Sequence, residues 1–271
     1  MGSPRSGSTW LLRLLSHHQR VIPLDEPQFG YHVAPLESVD STISASQAPR
    51  TDYCLSAEYE DAWRPLLRAL ILKRVGAQVE RASRTRQIDR PLTVLKEPNS
   101  SHAADLIMSL VPGSRLVFLL RDGRDVIDSV LDATSGETWM GAFGARDERE
   151  RLDAIRLQAR HWLYNTNKVQ HAFAAHAPER RFLVRYEELL ADPLRTLGEL
   201  LRWAGLATSE DELWEMVSRE SFASIPPEKR GTGKFFRAAA PGLWRENLAP
   251  GEQQVVSELL GEKLEELGYE V

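Results

Sequence analysis

The stretch Gly2-Ser3-Pro4-Arg5-Ser6-Gly7-Ser8-Thr9-Trp10 constrains the chain most. It is rich in Gly and Ser and runs into Trp10-Leu11-Leu12-Arg13-Leu14-Leu15, an apolar run that predicts a helix ending at Ser16. A glycine-rich turn that opens a helix presents unpaired backbone N–H groups, and the helix dipole adds partial positive charge there. Together they make an anion site, usually for phosphate. The spacing nearly follows a Walker A loop: Gly2, four residues, Gly7, then a position that calls for Lys. That position is Ser8, and the cation stands inside the turn as Arg5. A loop without the lysine is poorly equipped for an ATPase, so the displaced cation has to be explained. A phosphate loop also normally follows a buried strand, and only Met1 precedes Gly2. Either the bracing strand is missing from this chain, the favoured expectation, or the loop is supported differently.

The rest of the chain alternates apolar strand-length runs with helical periodicity. Extended runs are expected at 21–24, 93–96, 115–120 and 181–185, and helices at 58–82, 102–110, 122–133, 146–175, 187–204 (interrupted at Pro193), 210–218 and 252–267. Continuous apolar strands between helices predict an α/β fold, a parallel sheet covered on both faces. Residues 28 to 53, broken by Pro, Ser and Gly, read as a long loop or cap. No repeat or linker divides the 271 residues, so one domain is expected, with 28–90 as its cap region. The net charge of −5 argues against a nucleic-acid partner. Cys54 is the single cysteine, which excludes an internal disulfide and reads as a small buried hydrophobe. No apolar run reaches the length of a membrane span, and no targeting segment is seen, which makes a cytoplasmic location the default expectation.

Four ordered motifs identify a resemblance. Pro4-Arg5-Ser6-Gly7-Ser8-Thr9-Trp10 resembles the 5′-phosphosulfate loop of sulfotransferases that use 3′-phosphoadenosine-5′-phosphosulfate (PAPS). The run Arg115-Leu-Val-Phe-Leu-Leu-Arg121, with Ser129 eight residues on, resembles their 3′-phosphate motif. Arg185-Tyr186-Glu187-Glu188-Leu189 resembles the Tyr-Glu motif at a later strand end. Arg237, Gly242 and Trp244 stand in register with the late Arg…Gly-x-Trp element, although Ala238-Ala239 replaces the usual Lys-Gly. The set spans residues 2 to 245.

The resemblance implies a three-layer α/β/α fold around a central parallel sheet and a metal-free transfer from PAPS to a hydroxyl acceptor. Arg5, Ser6, Gly7, Ser8 and Thr9 would hold the 5′-phosphosulfate, and Arg121 and Ser129 the 3′-phosphate. Arg237 would close over that phosphate, with Lys234 or Arg230 as weaker candidates. Trp10 and Phe222 would sandwich the adenine, and Tyr186 would give it an edge hydrogen bond. Arg124 reads as part of a helix-capping network, and Trp244 as structural. The branch of the family with a histidine base carries Lys-Thr-His on the strand after the cap. Here that stretch is Lys96-Glu97-Pro98, closer to the tyrosylprotein, Golgi-type and bacterial branch with a glutamate base. Glu26, in Pro23-Leu24-Asp25-Glu26, is therefore the expected general base, with Lys96 beside the transferring group; a glutamate suits this task when burial raises its pKa. His102, Asp25, Glu58 and Glu97 are reserves. Two other readings stay open, a P-loop kinase-like phosphotransferase and a non-catalytic nucleotide-binding module. The identity of the acceptor and the oligomeric state are left undetermined.

Overall fold

The computed structural model describes residues 1–30, 55, 57–135, 138, 147–234 and 240–271. Most of the expected cap at 28–53, Cys54 and Arg237 lie outside the described residues. Helix α1 (Ser8–Ser16) follows the loop directly and leads through a turn into β1 (Val21–Asp25). Helix α2 (Glu60–Ser83) then precedes β2 (Leu92–Lys96), and a 3-10 turn at Pro98–Ala103 precedes α3 (Ala104–Leu110). The second half runs β3 (Leu116–Leu120), α4 (Gly123–Thr134), α5 (Glu148–Ala175), β4 (Arg181–Arg185), α6 (Tyr186–Ala191) and α7 (Pro193–Trp203). It closes with α8 (Glu210–Arg219), a 3-10 turn at Phe222–Ser224, α9 (Trp244–Asn247) and α10 (Pro250–Glu266).

All described strand pairing is parallel. β1 pairs with β2, Val21 opposite Leu92 and Asp25 opposite Lys96. β3 pairs with β4, Leu116 opposite Arg181 and Leu120 opposite Arg185. Among the described residues the sheet therefore stands as two two-stranded halves rather than one continuous ladder. Pro23 sits inside β1 without costing a ladder bond, because its residue faces the outer edge, where its carbonyl accepts from Gln78 Nε2 at 3.0 Å.

The pleat of β3 feeds two cores, as the period of two requires. Leu116, Phe118 and Leu120 pack with Ile127, Trp162, Val169 and Leu260 of α4, α5 and α10. Leu119 turns to the opposite face, among Leu11 and Leu14 of α1, Leu197 and Leu201 of α7 and Met216 of α8. Helices thus cover both faces of the strands, the three layers expected from the alternating pattern. One helix departs from its expected packing. In α2 the residues at helical spacing suggest a broad core face, but only Ile71 is buried, while Leu66 is 70% exposed and Leu70 54% exposed. Among the described residues no helix is long and apolar enough to cross a membrane.

Candidate active site

The loop turns back on itself before the helix starts. Ser6 N–H donates to the Ser3 carbonyl at 3.3 Å, and Arg5 is held in the left-handed region at φ 68°. Gly7 follows at φ 87° as the N-cap of α1, and no side chain caps the helix. Its missing side chain has a second use: a Cβ there would stand 2.5 Å from Cδ2 of the Tyr186 ring. The loop is thus seated directly on Tyr186. Gly7→Ala is expected to cost roughly 2–4 kcal/mol, adding left-handed strain to overpacking. Urea unfolding checks this; a loss below about 0.5 kcal/mol would mean that the ring moves aside at little cost.

Arg121 leaves the end of β3 and ties the loop down. Its Nη1 donates to the Arg5 carbonyl at 2.8 Å, and its guanidinium lies 4.4 Å from the centre of the Tyr186 ring, a cation–π contact. Trp162 fixes the strand end from the core, its Nε1 donating to the Arg121 carbonyl at 3.2 Å. Arg5 Nε donates to Ser129 Oγ at 3.1 Å. The loop cation and the hydroxyl expected at the other phosphate are thus neighbours in one network. Asp122 accepts from Arg124 N–H at 2.9 Å as the N-cap of α4, and the Arg124 side chain pairs with the same carboxylate at 2.8 Å. The other side of Arg124 covers Trp244, 4.4 Å from the ring centre, which matches the capping and structural roles read for these two residues.

Glu26 stands where β1 ends, at φ 43°, and Gln28 is likewise left-handed at φ 60°. Two such residues cost on the order of 1–3 kcal/mol each, and the neighbouring strand offsets this. Glu26 N–H donates to the Lys96 carbonyl at 3.0 Å, and Phe29 N–H donates to Glu97 Oε1 at 3.1 Å. Glu97 is buried, and desolvation raises its pKa against the pull of its hydrogen bonds. It therefore holds the loop after Glu26 in shape. The Glu26 carboxylate is gripped from two sides, by Lys96 Nζ at 2.8 Å and Asn99 Nδ2 at 2.8 Å. Lys96 also reaches Asp25 at 2.7 Å and the Thr9 hydroxyl at 3.0 Å. Its buried ammonium joins the ends of β1 and β2 to the first turn of α1.

These pieces meet in one pocket of about 600 Å³ lined by Arg5, Gly7, Ser8, Thr9, Trp10, Glu26, Asn99, Arg121, Ser129, Tyr186 and Phe222. Trp10 is steered by a hydrogen bond from Nε1 to the Glu220 carbonyl at 2.9 Å and by an edge contact with Tyr186, 6.1 Å between ring centres. Phe222 is backed by Arg230, whose guanidinium lies 5.5 Å from its ring centre and donates to its carbonyl. Two buried polar atoms of the loop and the end of β3 have no hydrogen-bond partner among the described residues, Ser6 Oγ and Arg121 Nε. Buried polar groups are rarely left so, and both suit an anionic ligand. Ser6 and Lys96 are buried and are not among the residues that line the pocket. Of the reserve bases, Asp25 and Glu58 are exposed, Glu97 is committed to the loop, and His102 lies outside the pocket with its pKa lowered by burial. Asn99 is the contributor that sequence reasoning missed. It follows Lys96-Glu97-Pro98 directly, but an Asn after Pro looks like an ordinary turn residue. Among the described residues no three His, Cys, Asp or Glu side chains are grouped to hold a metal ion.

With this geometry in hand, comparison with known proteins identifies the class. The sulfotransferase family model matches residues 1–210, and the chain belongs to the sulfotransferase family. A comparison with curated proteins finds no match. Among solved structures the chain is similar to the sulfotransferase domain from the curacin biosynthetic pathway, at 18% identity and a TM-score of 0.56 over 100% of this chain and 96% of that one. It is similar to the sulfotransferase domain of the Synechococcus PCC 7002 olefin synthase, at 19% identity and a TM-score of 0.54 over 100% and 93%. It is also similar to mouse sulfotransferase SULT7A1, solved with PAP, at 13% identity and a TM-score of 0.56 over 97% and 81%. At these identities the likeness is one of fold.

Proposed function

We propose that this sulfotransferase moves the sulfuryl group of PAPS to a hydroxyl acceptor and releases adenosine 3′,5′-bisphosphate, with Glu26 as general base. The observation that carries this reading is one pocket lined by two arginines, Arg5 and Arg121, by an aromatic pair and by a carboxylate. Arg5, with the backbone and hydroxyls of Ser6, Gly7, Ser8 and Thr9, would hold the 5′-phosphosulfate. Arg121 and Ser129, with Arg237 from outside the described residues, would hold the 3′-phosphate. Trp10 and Phe222 would take the adenine, with Tyr186 at its edge. The PAP complex of the mouse neighbour supports this ligand class.

In the reaction, the acceptor oxygen attacks sulfur as the bond from sulfur to the bridging phosphate oxygen breaks, and the hydroxyl proton passes to the Glu26 carboxylate. Arg5 offsets charge that develops on the bridging oxygen. Lys96 anchors Glu26 and Thr9 to each other, so base and donor loop keep one geometry. The acceptor would enter from the 28–90 side of a single domain. A sulfuryl group carries less charge than a terminal phosphate, and a cation built into the loop serves it without a bound metal.

Titration calorimetry tests the donor assignment. Adenosine 3′,5′-bisphosphate is expected to bind at least about a hundredfold more tightly than ATP, because a bidentate, charge-assisted phosphate contact is lost with ATP. Removing Mg²⁺ should leave that affinity unchanged. Equal affinities, or strict dependence on Mg²⁺, would transfer the site to the phosphotransferase reading.

A further inference from the structure

The pocket is built where the strands end: Glu26 follows β1, Arg121 follows β3 and Tyr186 follows β4. The opposite edge, where the strands begin, has a different chemistry. Arg20 stands directly before β1, Arg90 two residues before β2, Arg115 directly before β3 and Arg180 directly before β4. Parallel strands all start on one side of their sheet, so these side chains share an edge. Arg86, in the turn after α2, joins them.

Hydrogen bonds tie the five arginines into one row. Arg20 Nε donates to the Arg90 carbonyl at 3.0 Å, and its Nη1 donates to the Gly205 carbonyl at 3.1 Å. Arg115 Nη1 donates to the adjoining Ala204 carbonyl. Arg180 Nη1 donates to the carbonyl of Gly113, two residues before Arg115. Arg86 Nη2 donates to the Val21 carbonyl, next to Arg20, at 2.8 Å. The row thus crosses from β1-β2 to β3-β4 by way of the turn after α7.

Arg20 and Arg115 meet the carbonyl end of α7, where cations are favourable. That role accounts for a pair of guanidinium groups and not for a row. Among the described residues none of the five stands within ion-pair distance of a carboxylate. Asp89 and Glu179 adjoin the row in sequence, and both are exposed. Arg86, Arg90, Arg115 and Arg180 are exposed and Arg20 is half-buried. An arginine has five N–H donors, and each of these spends one or two on carbonyls, which leaves most of them for an incoming anion. The carbonyls also hold the groups in place beforehand, which lowers the ordering cost of binding. In a chain of net charge −5 this edge is a local exception, and a partner of opposite charge matches it.

We propose that the strand-entry edge docks a short acidic segment of another protein, its carboxylates paired with these arginines through bidentate contacts. The row has a limit. Five residues beyond Gly205 the exposed Glu210, Asp211 and Glu212 open α8. A long nucleic acid or a flat anionic membrane would press its own charge against those carboxylates. A segment with a few carboxylates about one strand spacing apart, roughly 4.8 Å, fits within the row. The pocket is built at the other end of the strands, so a docked partner leaves it open. The edge therefore localises the protein and takes no part in presenting the acceptor.

Fluorescence anisotropy with a labelled decaglutamate peptide tests this, at about 50 mM salt, where surface charges are weakly screened. The parent is expected to bind the peptide saturably, and Arg90→Glu with Arg180→Glu to weaken binding by about tenfold or more. Arg5→Ala should leave the peptide's affinity within about twofold, because the pocket is elsewhere; the result is thus independent of the sulfuryl-transfer reading. Absence of saturable binding, equal binding by the doubly reversed variant, or weakening by Arg5→Ala would overturn the proposal. Tighter binding of a ten-nucleotide oligothymidine, or of phosphatidylglycerol vesicles, would overturn it too. Should the double reversal lower Tm by more than about 5 °C, Arg90→Gln with Arg180→Gln takes its place. The neutral pair is expected to bind about threefold more weakly or worse, and unchanged binding overturns the proposal.

Discussion

Glu26→Gln is expected to lower kcat by about 10²–10⁴-fold, the range of a lost general base, with donor affinity held within about threefold. The substitution keeps shape and volume and removes only the ability to take a proton. Lys96 Nζ still has an oxygen to pair with, at the position 2.8 Å away. The second contact is less forgiving. Asn99 donates to the other carboxylate oxygen, and a glutamine amide there would oppose two donors until Asn99 turns its own amide around. That turn exchanges one hydrogen bond for another and leaves the fold intact, so the loss belongs to the chemical step. Single-turnover rates with calorimetric donor affinity check the separation. A variant that turns over within about threefold of the parent would place the base elsewhere, with His102→Ala as the next test.

The parts of this site legible in the sequence are those where chemistry is local. The loop from Gly2 to Trp10 shows its turn, its cation and its helix within nine residues, and the structure adds that Gly7 is also needed for Tyr186. Arg121 was readable because a strand-length apolar run ends on it at the ligand-binding edge of a parallel sheet. The strands themselves were found to within a residue or two, since each is a short, nearly continuous apolar run between helical segments. What stayed hidden depends on contacts between distant segments. Nothing local marks Asn99 as a partner of Glu26, 73 residues away. Glu97 looked like a spare base because its spacing resembles that of a functional acid, and only its burial and its bond to Phe29 show a structural task. The exposure of Leu66 and Leu70 was equally invisible, because periodicity reports that a helix has an apolar face and not that the face is covered.

Arg5→Ala should lower kcat by about 10³-fold or more, the scale of a lost arginine or oxyanion contact in transfer chemistry. The backbone cost of the left-handed position is common to both residues, since alanine keeps the Cβ that makes φ 68° unfavourable. The carbonyl that accepts from Arg121 is also kept, so the turn retains its main tie. What disappears is a guanidinium held beside Ser129 and open to the pocket. If its chief work is to meet charge that grows as the sulfur–oxygen bond breaks, the variant loses far more in kcat than in donor affinity. Arg5→Lys separates charge from geometry: it keeps the cation but gives up the planar fork, and should recover only part of the rate. A kcat within about threefold of the parent, with donor affinity alone reduced, would make Arg5 a ground-state anchor. The stabilisation of the leaving oxygen would then have to come from the Ser8 and Thr9 hydroxyls and the first-turn amides. A loop that needed no cation there would no longer explain why one replaces the missing lysine.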